Sequence, residues 1–227
     1  MNFIISFYRS SIGKKWVVAL TGLVLIGYVL GHMLGNLQIF AGPEKINAYA
    51  AFLHSMPGPL LLIRAFLIAC LVMHVVTTIK LAIENRAAKA QRYECQASTS
   101  LKPAKKTMVL SGLMVLAFIL FHLAHFTVRV TDKRFETLPH GEHDVHSMVI
   151  MGFDQHPVVA GFYVTAIFLL CMHLSHGFQS VLQTLGVNSR KTRLTVTYGG
   201  QLLSWLIFLG YISIPVAVLT HQLQLLP

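Results

Sequence analysis

The sequence predicts an all-α integral membrane protein with five transmembrane helices in one domain, residues 1–227. Of the 227 residues, 55% are hydrophobic and only 11% are charged, whereas soluble domains carry about 25% charged residues. Five apolar stretches each reach the roughly 20 residues that a spanning helix requires. The net charge of +10 comes from basic runs between these stretches, which is typical of topology-setting loops. The position of the basic residues between the apolar stretches therefore argues against nucleic-acid binding.

The five predicted helices cover residues 16–40, 58–83, 107–130, 157–185 and 196–219. The first is too long for the apolar region of a cleavable signal, so we expect it to be retained. Pro57 and Pro157 stand at helix starts, where a missing N–H costs little. Gly186 suits the end of the fourth helix. No internal sequence repeat is obvious.

The basic residues predict the orientation of the chain. Thirteen of the 18 lysines and arginines lie on the side of the N-terminus. The five on the opposite side are Lys45, Arg64, Arg129, Lys133 and Arg134. Because positive loops stay on the inner side of a membrane, we expect the N-terminus in the cytoplasm and the C-terminus outside.

Histidine is unusually frequent, with 12 in the chain. Six of them lie within the predicted spans: His32, His74, His122, His125, His173 and His176. Ionisable residues at membrane depth are rare and usually functional.

The depths of four histidines match in pairs. His32 lies 17 residues past Lys15 and His122 lies 16 past Lys106, which places both about 25 Å from the inner edge. His74 lies 12 residues before Arg86, and His173 lies 12 before Leu185, about 18 Å from that edge. The counts predict an outer pair, His32 with His122, and an inner pair, His74 with His173.

Two facing imidazoles can ligate a haem iron from both sides, and helix-bundle cores commonly hold such cofactors. The sequence therefore predicts a four-helix core holding two b-type haems, since no C-x-x-C-H motif for covalent haem is present. Each histidine could instead bond a neighbouring helix or water. Gly27, Gly31 and Gly35 could leave room for a macrocycle or simply allow close helix packing.

Two of the proposed ligands have a neighbour that could replace them. His125 and His176 follow His122 and His173 by three residues, which puts them on nearly the same helix face one turn away. Spacing alone leaves the choice within each pair open.

Several blocks resemble a known family. They are SIGKK at residues 11–15, ALTG at 19–22, GHMLGNLQIF at 31–40, FHLAHF at 121–126, HLSHGF at 173–178 and QTLG at 183–186. Together they resemble the single-chain cytochrome b subunit of succinate dehydrogenase/fumarate reductase, over essentially the whole chain.

The resemblance implies a five-helix anchor in the bacterial inner membrane that holds two bis-histidine b haems. It implies His32 with His122 and His74 with His173 as ligands, in agreement with the depths. A flavoprotein and an iron–sulfur subunit would bind on the cytoplasmic side, where Ser10, Ser11, Lys14 and Lys15 could contribute to docking. Electrons would pass between succinate or fumarate on the partners and a quinone, commonly menaquinone, near the outer haem. No dicarboxylate site is expected in this chain.

The residues around the expected haems and quinone allow two interpretations each. Arg64 and Arg129 could pair with a haem propionate or be interfacial arginines that reach toward water. The quinone candidates are Asn36, Gln38, Glu44 and His54, which could equally be ordinary polar residues of the outer end.

The outer segment 131–154 contains five residues that could bind a metal weakly: His140, Glu142, His143, Asp144 and His146. We expect it instead to be a solvated loop.

Two other classes of protein fit part of the pattern. One is the dihaem cytochrome b of another respiratory complex, such as a hydrogenase, or a transmembrane ascorbate-type reductase. The other is a haem-free transporter or scaffold, in which the histidines only bond to neighbouring helices.

Overall fold

The computed structural model describes residues 3–88, 102–139, 141, 143–154, 156–187, 189 and 191–225. Within these ranges the chain is helical and contains no strand. Five helices are long and apolar enough to cross a membrane. The prediction of an all-α, multi-pass membrane protein is confirmed to that extent.

The described α-helices are α1, Phe3–Arg9; α2, Ser11–Asn36; α3, Pro43–His54; α4, Pro57–Ala87; α5, Lys102–His122; α6, Val145–Phe153; α7, Pro157–Thr184; and α8, Arg193–Leu219. The spanning helices are α2, α4, α5, α7 and α8. A 3₁₀ turn, Leu37–Ala41, extends α2, and a π-helical turn, Leu123–Thr127, extends α5.

Helix α2 begins five residues before its predicted start, for a local reason. The Ser10 side chain accepts a hydrogen bond from the Gly13 N–H at 2.9 Å, which caps the helix. Lys14 then lies inside the helix and is buried, and its ammonium contacts both carboxylate oxygens of Glu84 at 2.5 and 2.6 Å. Lys14 was expected to lie outside the first span, and its charge is neutralised by Glu84 near the end of α4.

Four of the spanning helices, α2, α4, α5 and α7, form a bundle, and each of its two diagonals joins two helices that lie opposite each other. Among the described residues, α2 packs on α4 and α7, and α5 packs on α7 and less extensively on α4. Helix α2 therefore lies opposite α5, and α4 lies opposite α7. Side chains on opposite helices can meet on the bundle axis, which is where bundles hold cofactors.

Helix α8 lies outside the four and packs mainly on α7. The apolar core runs between α2, α7 and α8, where Ile26, Ile167 and Ile207 are buried. The Tyr211 hydroxyl of α8 also donates to the Val29 carbonyl of α2 at 2.8 Å. The outward faces carry large apolar side chains such as Leu61, which suits a lipid bilayer.

The short helices α3 and α6 form a cap over the end of the bundle at which α2 finishes and α7 begins. Asp144 is 1% exposed, and one of its carboxylate oxygens accepts from the Asn47 amide at 3.0 Å and from the Ser147 N–H at 3.1 Å. The Asn47 side-chain oxygen accepts in turn from the His146 N–H at 3.0 Å. The two bonds of Asn47 join segments about 100 residues apart in sequence.

This cap corrects the expectation of a solvated loop over residues 131–154. Asp144, His146 and nearly all of α6 are buried, and among the described residues no three potential metal ligands cluster. His143 is exposed and stacks on His54 at 4.5 Å between ring centroids. His140 and Glu142 lie outside the described residues.

The cap predicts a pH-dependent stability. Burial lowers the pKa of His146 below its ordinary value of 6.5, against the opposing charges of Asp144 and Glu44. The folded state therefore holds this ring neutral. The free energy of unfolding is at its full value above pH 6.5 and decreases as the pH falls below 6.5, because the unfolded state then binds a proton more readily. We expect the melting temperature in detergent to decrease from pH 7.5 to pH 5, and to decrease less in His146→Gln.

His156 provides the matched control, since it is exposed at the start of α7. His156→Gln should keep the pH dependence of the wild-type melting temperature. If His146→Gln shows the same decrease as the wild type, titration of His146 is not its cause.

Candidate functional site

The outer pair of predicted ligands meets across one diagonal of the bundle. The ring centroids of His32 on α2 and His122 on α5 are 5.8 Å apart, with the ring planes at 83°. Metal–imidazole bonds of about 2 Å put the centroids of two ligating rings about 6 Å apart. The separation therefore suits one metal ion between the two rings. Tyr28 also stacks on His32, with the ring centroids 5.4 Å apart.

Tyr163 of α7 joins His122 to its neighbour His125. The Tyr163 hydroxyl lies 3.4 Å from His122 Nδ1 and 3.0 Å from His125 Nδ1. His125 is buried within the π-helical turn and stacks on Phe135 at 5.4 Å. Such turns within α-helices are frequent at functional sites. His125 lies within the turn and contacts Tyr163 and Phe135, whereas His122 lies just before the turn and contacts Tyr163 and His32.

The inner pair lies on the other diagonal, His74 on α4 and His173 on α7. His74 Nδ1 is 3.1 Å from the Thr21 hydroxyl of α2, and His173 Nδ1 is 3.2 Å from the Ser111 hydroxyl of α5. Each inner histidine is thus held from the side by a hydroxyl of a helix that carries an outer histidine.

A glycine makes room for each inner imidazole. A Cβ at Gly22 would lie 3.2 Å from His74 Cε1, and a Cβ at Gly112 would lie 3.2 Å from His173 Cε1. Both separations are tighter than ordinary van der Waals contact, so any larger residue would displace a ring. The two glycines thus keep the space that the inner rings occupy, and imidazole nitrogens are suitable ligands for a haem iron.

The separation between the two levels differs from the depth count. Since His74 lies beside Thr21, and Thr21 is 11 residues before His32, the levels are about 16 Å apart along α2. Counting from the flanking charges predicted about 7 Å. The count was wrong because flanking charges mark helix ends, and these ends do not lie in one plane.

The second histidine of each close pair has different surroundings. His125 faces the cap, as described above. His176 is half-buried on α7, and the described structure has no hydrogen bond or stacking contact for its ring. The contacts of His122 with His32 and of His173 with Ser111 favour the first histidine of each pair.

The four quinone candidates have separate surroundings. Asn36 donates its side-chain amide to the His32 carbonyl at 2.7 Å, within α2. His54 Nδ1 contacts the Ala50 carbonyl at 2.8 Å, also within its own helix. Gln38 is half-buried in the 3₁₀ turn, and Glu44 is exposed in the first turn of α3. Among the described residues, no hydrogen bond joins any of these four to another.

The two arginines occupy different environments. Arg64 is exposed on the first part of α4. Arg129 is half-buried after the π-helical turn and has a left-handed backbone, with φ of 64°.

Thr21, Ser111 and Tyr163 were not predicted from the sequence as residues of the site. A signal for the first two is present in the sequence. Thr21-Gly22 precedes His32 by 11 residues, and Ser111-Gly112 precedes His122 by the same 11. Eleven residues make about three helical turns, so each hydroxyl lies on the same helix face as its histidine. Tyr163 is an aromatic residue in an apolar helix, with no such spacing.

The fold and the composition define a multi-pass helical membrane protein with paired histidines inside its bundle. No protein-family model, curated protein or solved structure matches the chain.

Proposed function

We propose that this chain is the membrane-anchor cytochrome b subunit of a succinate:quinone oxidoreductase or quinol:fumarate reductase. The observation that carries the proposal is the pair of diagonals, with His32 and His122 at 5.8 Å and His74 and His173 at a second level. Two bis-histidine sites in a spanning bundle suit electron transfer across a bilayer. The family resemblance of the sequence blocks supports the choice of complex.

Each helix of the bundle has a defined role in this proposal. His32 and His122 would hold the outer haem b, and His74 and His173 the inner one. When bound, the two haems would supply one-electron transfer. The chain's own residues would orient the imidazoles and limit their contact with water, because the four rings are half-buried among apolar helices.

The distribution of charge supports a cytoplasmic N-terminus, and the family resemblance supports a bacterial inner membrane. The inner pair would then lie nearer the cytoplasm, and the cap of α3 and α6 would lie outside. The flavoprotein and iron–sulfur subunits would dock on the inner face, where α1 packs across α2 and α4. There Tyr8 contacts the Thr77 hydroxyl at 3.2 Å, and the Lys80 ammonium lies 5.7 Å from the Tyr8 ring.

A quinone, menaquinone or another, would react near the outer haem in this proposal. The candidates Asn36, Gln38, Glu44 and His54 lie on α2, its 3₁₀ extension and α3, at the outer end of the bundle. The dicarboxylate chemistry would belong to the partner subunits.

Purification of the tagged full chain from its native membranes tests the proposal. We expect two haem b per chain by the pyridine haemochrome assay, and a flavoprotein and an iron–sulfur protein in the same complex. Succinate should reduce the haems. A preparation without a reduced b-type α-band would contradict the proposal and favour a transporter or scaffold. Haem with a hydrogenase as partner would favour another respiratory complex.

A further inference from the structure

Two hydroxyl side chains hold the inner imidazoles by the same arrangement. The Thr21 hydroxyl lies 2.6 Å from the Val17 carbonyl of its own helix and 3.1 Å from His74 Nδ1. The Ser111 hydroxyl lies 3.0 Å from the Met108 carbonyl of its own helix and 3.2 Å from His173 Nδ1.

The direction of these hydrogen bonds follows from counting hydrogens. A hydroxyl has one hydrogen and two lone pairs, and a carbonyl can only accept. Each hydroxyl therefore donates to its helix carbonyl and accepts from the imidazole, so Nδ1 of His74 and of His173 carries a hydrogen. In the neutral ring this leaves Nε2 as the nitrogen with a free lone pair.

The glycine that follows each hydroxyl completes the arrangement. A Cβ at Gly22 would lie 3.2 Å from Cε1 of His74, and a Cβ at Gly112 would lie 3.2 Å from Cε1 of His173. In both helices a hydroxyl residue precedes the outer histidine by 11 residues and is followed directly by a glycine, so α2 and α5 carry two copies of one unit. Each unit supports an inner histidine and supplies an outer one.

We propose that Thr21 and Ser111 are positioning residues of the inner metal site, which fix the Nδ1–H form of His74 and His173 and make Nε2 the ligating nitrogen. This inference rests on the proposed function, because it requires haem at the inner level. Metal-bound histidines usually donate their second ring hydrogen to such a partner, and its loss costs about 10–100-fold in affinity or activity.

The loss of either hydroxyl should change the inner site in two measurable ways. Nδ1–H would lose its hydroxyl acceptor, so the imidazole would become a poorer donor to ferric iron and the midpoint potential of the inner haem should rise. The ring would also lose its fixed orientation. Haem retention at the inner level should fall about tenfold or more under dilution.

The test uses Thr21→Val and Ser111→Ala in the full chain, purified with its partner subunits. The readouts are haem per chain, redox titration of both haems and the electron paramagnetic resonance spectrum, which reports imidazole orientation. The inner haem is identified as the one that His74→Ala removes. We expect a raised potential and an altered spectrum for that haem alone. The variant Thr21→Ser, which keeps a hydroxyl, should have the wild-type potential and spectrum.

Two control variants lose a hydroxyl that bonds only to backbone. Thr78 donates to the His74 carbonyl at 2.7 Å, and Ser204 is buried and donates to the Gly200 carbonyl at 2.8 Å. Thr78→Val and Ser204→Ala should leave both haems unchanged. If one test variant does not fold, the other decides, since the two sites are equivalent.

The outcomes separate this inference from the proposed function. A wild-type protein without haem overturns both. A wild-type protein with two haems, whose inner potential and spectrum are unchanged in Thr21→Val and Ser111→Ala, overturns only the role of the hydroxyls.

Discussion

Replacing His122 by alanine should reduce the haem content from two per chain to one, whereas replacing His125 should leave two. His122 lies opposite His32, with 5.8 Å between the ring centroids, so its loss would remove one of the two imidazoles that would hold the outer haem. His125 is held instead by Tyr163 and Phe135, beside the cap. Its replacement should lower the melting temperature through lost packing without removing a ligand.

The remaining ligand variants extend this test to the other helices. His32→Ala should remove the same haem as His122→Ala, while His74→Ala and His173→Ala should each remove the other one. His176→Ala is the matched control on α7 and should retain both. The pyridine haemochrome assay, with quantification of the chain, counts the haems. Loss of a haem in His125→Ala but not in His122→Ala would contradict the choice within α5.

The spanning helices could be predicted from sequence because the bilayer imposes a simple physical requirement. Roughly 20 apolar residues are needed whatever surrounds them, and all five predicted helices overlap a described one. Histidines at membrane depth are costly, which made them visible as candidates. The pairing of His32 with His122 also followed from depth, since the two lie 17 and 16 residues past a flanking lysine on parallel helices.

The cap and the hydroxyl partners could not be predicted in the same way. Asn47 and Asp144 are 97 residues apart, and polar residues near a span end read as a solvated loop until their contacts are known. Thr21 and Ser111 are small residues in apolar helices, where hydroxyls commonly bond to their own backbone. Only the approach of a second helix shows that each hydroxyl also meets an imidazole.

Replacing Gly112 by valine should remove the inner haem, because valine fills the space beside His173. The Cβ alone would lie 3.2 Å from Cε1 and 3.8 Å from Nδ1 of that ring, and the branched methyl groups would force the ring away from its position. Gly22→Val should do the same to His74. Both variants should leave the outer haem bound, which absorption spectra and haem quantification can establish.

Alanine at Gly112 gives the sharper version of this test, because its two expected effects have opposite signs. In a helix interior, alanine is favoured over glycine by roughly 0.5–1 kcal/mol, so the helix itself should become more stable. The ring contact should still loosen the inner haem. Gly161→Ala on α7 is the control, since nothing lies within 4 Å of a Cβ there, and it should gain the stability without losing haem. If Gly112→Ala behaves like Gly161→Ala, the glycine serves helix packing and not the inner imidazole.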